Sequence, residues 1–162
     1  MGVAEDLLTL AGRLAKPAPM EPEQASLRRS VSTAYYALFH LLIDEAIHTW
    51  SGSSSARFGL ARKFEHKTMK QVSQTVMQGS WKGWSTLPPG LPIELQTVAK
   101  MFVELQEDRL QADYDNSKTW VTTDVLAKVD RAQLAFENWA KIRTHPAANE
   151  YLLSLLIGNK RE

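Results

Sequence analysis

The sequence contains no cysteine among its 162 residues. Without thiols the chain cannot form a disulfide framework or a thiolate metal site, and this composition is compatible with a cytoplasmic protein. No apolar run reaches the roughly 20 residues that a membrane-spanning helix requires. The first residues also lack the basic start and long apolar segment of a signal peptide. We therefore expect a cytoplasmic protein that has no membrane partner.

Strand-like alternation, sequence repeats and a glycine-rich phosphate loop are also absent. The sequence instead contains segments with apolar residues at helical spacing, separated by stretches rich in proline, glycine and serine. This pattern predicts an all-α fold, an up-and-down bundle of four long helices plus short N- and C-terminal helices. We expect a single domain over 1–162, with its core at about 24–144 and an accessory helix and tail at 146–162.

Apolar spacing and chain breakers set the expected helix boundaries. A first helix over 3–15 places Leu7, Leu10 and Leu14 on one face. The other helices are expected at about 23–50, 55–77 (where a break near Phe64 is left open), 92–114, 123–144 and 146–157. The last helix is expected to expose an apolar face made of Tyr151, Leu152, Leu155 and Leu156.

The stretch Arg28–Asp44 predicts a central helix, because its second half is apolar nearly all round. A narrow polar stripe follows one side of this helix at spacings of four, three and four, and consists of Arg29, Thr33, Tyr36 and His40. The stripe either packs against another helix with its polar tips hydrogen-bonded or forms a groove that offers a cation, a phenol and an imidazole.

The fourth predicted helix carries an arginine in line with its apolar face. A stripe that includes Phe102 and Leu105 continues to Arg109, so Arg109 is expected to be buried. Asp113 lies four residues further on, which is close enough on a helix to pair with Arg109. This pair either fixes the helix register as a buried ion pair or presents a guanidinium to a phosphate.

The net charge is only +1, but the charges are unevenly distributed. Residues 51–83 are basic and residues 94–115 are acidic. The two segments either lie side by side and neutralise each other, or the basic segment forms a face for phosphate-bearing partners. The loop Trp81-Lys82-Gly83-Trp84 either stacks on bases or packs onto the bundle.

Metal and hydrolase chemistry are not indicated. His40 and His48 lie eight residues apart and drift around the helix, and His145 precedes a proline. Metal ligands require a tighter geometry than this. No Gly-x-Ser-x-Gly motif is present. We expect neither a metal nor a cofactor.

Two motifs carry a resemblance to a known family. The run RRSVSTAYYALFH at 28–40 resembles the start of a HEPN domain, the higher-eukaryote and prokaryote nucleotide-binding superfamily of helical bundles. The later run from Arg109 through Ala112 and Asp113 to Tyr114 resembles the Arg-x-x-Ala-Asp-Tyr motif of one prokaryotic branch. His66-Lys67 between them also fits. The resemblance covers roughly residues 24–140.

The resemblance implies a helical bundle, a homodimer, and RNA or nucleotide as the ligand. It also implies a place in a toxin–antitoxin or defence module, with a nucleotidyltransferase or an antitoxin as partner. Active members are metal-independent ribonucleases in which a histidine follows the arginine after four to six residues. Tyr114 stands at that position here, and a phenol is a poor proton carrier near neutral pH. We therefore expect nucleotide or RNA binding without strong catalysis.

The expected ligand-binding residues combine the two motifs and the basic pair between them. They are Arg29, Tyr36, His40, His66, Lys67, Arg109, Asp113 and Tyr114. Arg109 is expected to hold phosphate while Asp113 orients it. One alternative is a ribonuclease toxin with Arg109, Tyr114 and His40 as catalytic candidates. The other is a non-catalytic interaction or dimerisation module, in which the helix at 146–157 joins subunits or a partner.

Overall fold

The computed structural model describes residues 2–16, 20–50, 52–79 and 91–159. Seven helices and no strand occur in these ranges, which confirms the prediction of an all-α helical bundle. In chain order they are α1 (Val3–Ala15), α2 (Gln24–Trp50), α3 (Ser54–Ala61), α4 (His66–Met77), α5 (Ile93–Tyr114), α6 (Thr122–Ile142) and α7 (Pro146–Ile157). None of these helices is both long and apolar enough to span a membrane. The Trp81–Trp84 loop lies outside the described residues.

The predicted third helix consists of two helices, α3 and α4. The chain leaves helical hydrogen bonding between Ala61 and His66, around the break that was left open near Phe64. Phe64 is buried, whereas α3 buries none of its side chains. The break therefore separates a short exposed helix from α4, which contributes Met69, Val72, Ser73 and Val76 to the interior.

Residue contacts divide the chain into two compact units. Unit 1 comprises residues 1–41 and 104–136, and unit 2 comprises residues 42–103 and 137–162. The prediction of a single domain over 1–162 stays a prediction.

Unit 1 has a core in which distant parts of the sequence meet. Its buried cluster consists of Ala15, Leu27, Val31, Ala112, Trp120 and Val125. The side-chain amide of Gln24 donates to the carbonyl of Trp120, and its oxygen accepts from the N–H of the same residue, both at 2.8 Å. This double hydrogen bond satisfies backbone groups just before α6 and ties them to the first residue of α2.

The acidic side chains of α5 in unit 1 pair with cations of α6. Lys128 Nζ lies 3.0 Å from Asp108 Oδ2, and Arg131 Nη1 lies 3.7 Å from Glu104 Oε2. These two carboxylates therefore pair with α6. Both predictions for the basic segment 51–83, that it neutralises residues 94–115 or that it faces phosphate-bearing partners, stay predictions.

Unit 2 contains the packed pair α4 and α7. Tyr151, Leu152 and Leu155 are buried, so the expectation that α7 exposes them is wrong. The reason is that α7 lies against α4, where the Tyr151 hydroxyl is 2.7 Å from Ser73 Oγ. Gly158 ends α7 at a φ of +86°, a conformation that residues with a Cβ rarely adopt.

Candidate ligand-binding cleft

Unit 1 contains an open cleft of about 910 Å³. This volume is within the roughly 300–1,000 Å³ that ligand sites usually occupy. The cleft is lined by one face of α2, the end of α5 and one side of α1. Its lining residues are Leu7, Leu10, Leu14, Ala25, Arg28, Arg29, Ser32, Thr33, Tyr36, His40, Ala112 and Asp113.

The polar stripe predicted on α2 lies along this cleft. Arg29, Thr33, Tyr36 and His40 all line it. Arg29 is exposed, and Tyr36 and His40 are half-buried. The spacing of four, three and four keeps these side chains on one face of α2 over about three turns. The stripe was expected either to pack against another helix or to form a groove, and in the structure its four residues line a groove.

Arg29 and His40 are available for a ligand. Within the described ranges, neither side chain has a hydrogen-bond or ion-pair partner. The two residues are eleven positions apart, so their Cα atoms lie about 16 Å from each other along the helix axis. The cleft thus offers a guanidinium near one end and an imidazole near the other.

The opposite wall of the cleft is apolar and comes from α1. Leu7, Leu10 and Leu14 line the cleft, and Leu10 is 41% exposed. The sequence had assigned these leucines to the apolar face of α1, which normally packs inward. The structure instead buries Ala4, Ala11 and Ala15. Small alanine side chains allow α1 to approach its neighbours closely, and the leucines are left facing the cleft.

Arg109 lies behind the cleft surface and does not line it. Its side chain is only 11% exposed, as predicted, and its Nη1 lies 3.6 Å from Asp113 Oδ2. Nη1 also donates to the Tyr36 hydroxyl at 3.1 Å. The guanidinium carbon is 5.2 Å from the centroid of the Tyr35 ring and 5.6 Å from that of Tyr36, within cation–π range. Arg109 therefore fixes the position of the Tyr36 side chain through a hydrogen bond and a cation–π contact.

Asp113 pairs with Arg109 and also lines the cleft. Its carboxylate lines the cleft and accepts a hydrogen bond from the Ser32 hydroxyl. Ser32 was not among the predicted site residues. It lies three positions after Arg29 and four before Tyr36, so the helical spacing of the stripe could have included it.

Arg28 has a structural task that the sequence did not reveal. Its Nη1 donates to the carbonyls of Ala112 and Asp115 at 3.0 and 2.9 Å, and its Nη2 donates to that of Lys118 at 2.6 Å. The Ala112 carbonyl belongs to the last turn of α5, where carbonyls have no partner inside the helix, and the other two carbonyls belong to the turn that follows. These contacts also place a cation at the negative end of the helix dipole.

Asp115 stabilises the same turn through its own side chain. The Ser117 hydroxyl and the Ser117 N–H donate to Oδ1 at 2.5 and 3.0 Å. These hydrogen bonds, the one from the hydroxyl first, lower the pKa of Asp115 below its ordinary value. The end of α5, which carries Asp113, is thereby held by Arg28 and by Asp115 together.

Besides Arg109, three predicted site residues do not line the cleft. Tyr114 is 74% exposed and is not part of the lining. His66 and Lys67 begin α4 and belong to unit 2. Of the predicted site residues, the cleft therefore contains those of the Arg29–His40 stripe and Asp113. Arg109 and Tyr114 of the second motif and the basic pair His66-Lys67 do not line it.

A metal site is not formed by the histidines. No group of three or more His, Asp or Glu side chains in the described part of the chain is placed to hold a metal ion. Glu45 and His48 have the spacing of a Glu-x-x-His motif, but Glu45 pairs with Arg143 at 2.9 Å. His48 Nδ1 lies 2.7 Å from the carbonyl of Asp44.

Comparisons of the chain with family models, with curated proteins and with solved structures found no match. The HEPN resemblance of the two motifs thus stays a prediction.

Proposed function

We propose that the cleft of unit 1 binds a nucleotide or a short stretch of RNA, in the manner expected of a HEPN-like protein without strong catalysis. The observation that carries this proposal is the guanidinium of Arg29, which has no hydrogen-bond or ion-pair partner in the described part of the chain and lines a cleft whose opposite wall is apolar. The proposal extends to a cytoplasmic homodimer that acts in a toxin–antitoxin or defence module, which rests on the resemblance alone.

The two walls match the two chemical parts of a nucleotide. A guanidinium is well shaped for phosphate, which it contacts through two parallel N–H groups. Leu7, Leu10 and Leu14 give a base an apolar surface on which to lie. His40 and the Thr33 hydroxyl lie further along α2, where a second phosphate of the same strand would come within reach.

The role first expected of Arg109 passes to Arg29 in this proposal. Arg109 is largely buried and is already engaged with Tyr36 and Asp113. Its contribution is to hold the Tyr36 ring and the Asp113 carboxylate in position. Arg29 is exposed on the cleft surface and is the residue that meets the phosphate.

The test is equilibrium binding of a fluorescent oligoadenylate and of AMP, in buffer containing a chelator. Arg29→Ala is compared with Arg13→Ala, an exposed arginine of α1 that does not line the cleft. A hydrogen-bonded charge contact contributes about 1.5–3 kcal/mol, so Arg29→Ala should weaken binding about tenfold or more. Arg13→Ala should bind as the wild type does.

Two results would remove the proposal: no binding by the wild type, or equal loss in both arginine variants. Lys67→Ala separates the cleft from the basic segment of unit 2. A loss with Lys67→Ala that exceeds the loss with Arg29→Ala would move the binding site to α4.

One observation favours the ribonuclease alternative. The His40 imidazole lines the cleft and has no hydrogen-bond partner among the described residues, and histidine is the usual proton carrier near neutral pH. Incubation of structured RNA with wild type and with His40→Ala, without metal, tests it. Cleavage that is lost in His40→Ala supports a ribonuclease, and intact RNA in both samples excludes it. The interaction-module alternative would need a surface other than Tyr151, Leu152 and Leu155, which are buried.

A further inference from the structure

The cleft carries one group that a site for phosphate alone would not need. The carboxylate of Asp113 lines the same cleft as Arg29, and its side chain is 32% exposed. Like charges repel more strongly in a partly buried site than in water. A carboxylate beside a bound phosphate therefore weakens binding, unless the ligand also brings a hydrogen-bond donor to it.

The contacts that hold Asp113 leave acceptor capacity for a ligand. The Ser32 hydroxyl donates to Oδ1, and Arg109 Nη1 lies 3.6 Å from Oδ2. An ionised carboxylate has about four lone-pair sites. The two contacts leave about two of these sites for a ligand, and the same contacts hold the carboxylate in place.

The position of Asp113 relative to Arg29 follows from the spacing on α2. Ser32, which touches Asp113, follows Arg29 by three residues. Side chains at this spacing have Cβ atoms about 5–6 Å apart on one helix face. A ligand group at the carboxylate therefore lies about one helical turn from a ligand group at the guanidinium. The phosphate and the sugar hydroxyls of one nucleotide can span that distance.

We infer that Asp113 accepts a hydrogen bond from a ribose hydroxyl of the nucleotide whose phosphate contacts Arg29, and that the cleft selects ribonucleotides over deoxyribonucleotides. This inference rests on the proposed function. The 2′-hydroxyl is the donor that distinguishes RNA from DNA at a given site. A deoxyribose leaves the carboxylate unpaired next to the phosphate, so the loss of one hydrogen bond adds to an unrelieved repulsion.

The test compares oligoadenylate and oligodeoxyadenylate of equal length with the same fluorophore, so that only the sugar differs. A hydrogen bond to a charged group corresponds to roughly a tenfold change in affinity or more. The wild type should therefore prefer the ribose strand about tenfold. Asp113→Ala should bind both strands with nearly equal affinity. Asp130→Ala is the matched control, because it removes an exposed carboxylate of α6 that does not line the cleft, and it should keep the preference.

The ratio of the two affinities is the readout, since a general disturbance of the cleft weakens both strands alike. Equal binding of the two strands by the wild type overturns the inference and leaves the proposed function standing. Binding of neither strand overturns the proposed function. A ribose preference that persists in Asp113→Ala also overturns the inference. If circular dichroism shows that Asp113→Ala does not fold, Asp113→Asn replaces it, and an undiminished preference in that variant is the contrary result.

Discussion

Arg109 donates a hydrogen bond to the hydroxyl of Tyr36 at 3.1 Å and lies within cation–π distance of the same ring. The two residues are 73 positions apart in the sequence. Their contact joins the polar stripe of α2 to the arginine of α5. The Tyr36 hydroxyl matters to this guanidinium, because Nε of Arg109 is buried and has no hydrogen-bond partner among the described residues.

Tyr36→Phe should therefore destabilise the protein by about 1–3 kcal/mol, the usual cost of leaving a buried donor without its acceptor. The measurement is the free energy of unfolding from urea denaturation. Tyr114→Phe is the matched control, because Tyr114 is 74% exposed and should change stability by less than about 0.5 kcal/mol. Equal effects of the two substitutions would contradict the role given to the Arg109–Tyr36 contact.

Substitution of Arg28 should lower the stability of the protein, whereas substitution of its neighbour Arg29 should weaken ligand binding. Arg28→Ala removes three hydrogen bonds to carbonyls of the last turn of α5 and of the turn that follows it, and it should cost about 2–3 kcal/mol of unfolding free energy. Arg29→Ala should leave the unfolding free energy within about 0.5 kcal/mol of wild type while it weakens nucleotide binding. Urea denaturation and a binding titration on both variants measure this. A large loss of stability in Arg29→Ala would contradict the assignment.

Asp115 should make the stability of the protein depend on pH in the acid range. Its pKa is lowered, chiefly by the Ser117 hydroxyl and then by the Ser117 N–H. The native state therefore keeps this carboxylate charged to lower pH than the unfolded chain does. The stabilisation is present above the ordinary pKa of 3.8 and is lost as the pH falls through the lower native value.

Ser117→Ala should accordingly make the melting temperature fall less steeply from about pH 5 to about pH 3 than it does in the wild type. The melting temperature is measured at several pH values in this range. Ser55→Ala, at an exposed position of α3, is the control and should follow the wild-type curve. A wild-type slope in Ser117→Ala would show that these hydrogen bonds do not shift the titration.

Tyr151 should make the stability of the protein depend on pH in the alkaline range, where stability is lost as the pH rises. Burial raises its pKa above the ordinary value of 10.0, and the hydrogen bond with Ser73 offsets this only in part. A raised native pKa means that the stabilisation is complete below the ordinary pKa. It is lost as the pH rises above that value, since the unfolded chain ionises first.

Tyr151→Phe should be less stable than the wild type at neutral pH by about 1 kcal/mol, because Ser73 loses its buried partner. Above about pH 10 the difference between the two proteins should shrink. The urea midpoint as a function of pH measures this. With Tyr114→Phe as control, the alkaline decline should match that of the wild type. A constant difference between Tyr151→Phe and wild type would contradict the expected shift.

Local periodicity predicted most of the helices and the residues that share a face. The stripe from Arg29 to His40 and the Arg109–Asp113 pair were predicted because spacings of three and four are set by one helix alone. The break near Phe64 was left open, because the apolar face of residues 55–77 is irregular. Whether a helix continues through Phe64 depends on packing, which local spacing does not contain.

The rest of the cleft depends on contacts that no local rule contains. Arg28 and Arg29 are neighbours with identical side chains, and only the carbonyls 84 to 90 residues further on distinguish them. The leucines of α1 were predicted to share one face, but helix packing buried the alanines of that helix instead. Sequence spacing gives the faces of a helix, but it does not say which face the neighbouring helices will cover.

The composition of unit 1 from residues 1–41 and 104–136 has a consequence for the order in which the protein can be made. On the ribosome, α1 and the first part of α2 emerge long before their partners. The carbonyls that Arg28 binds, and the Asp113 that Ser32 holds, are synthesised only after the whole of residues 42–103. Contacts this far apart close slowly. While residues 42–103 are synthesised, Leu27 and Val31 of α2 therefore lack the Ala112, Trp120 and Val125 side chains that pack on them in the folded protein. This is the interval in which a chaperone would bind them.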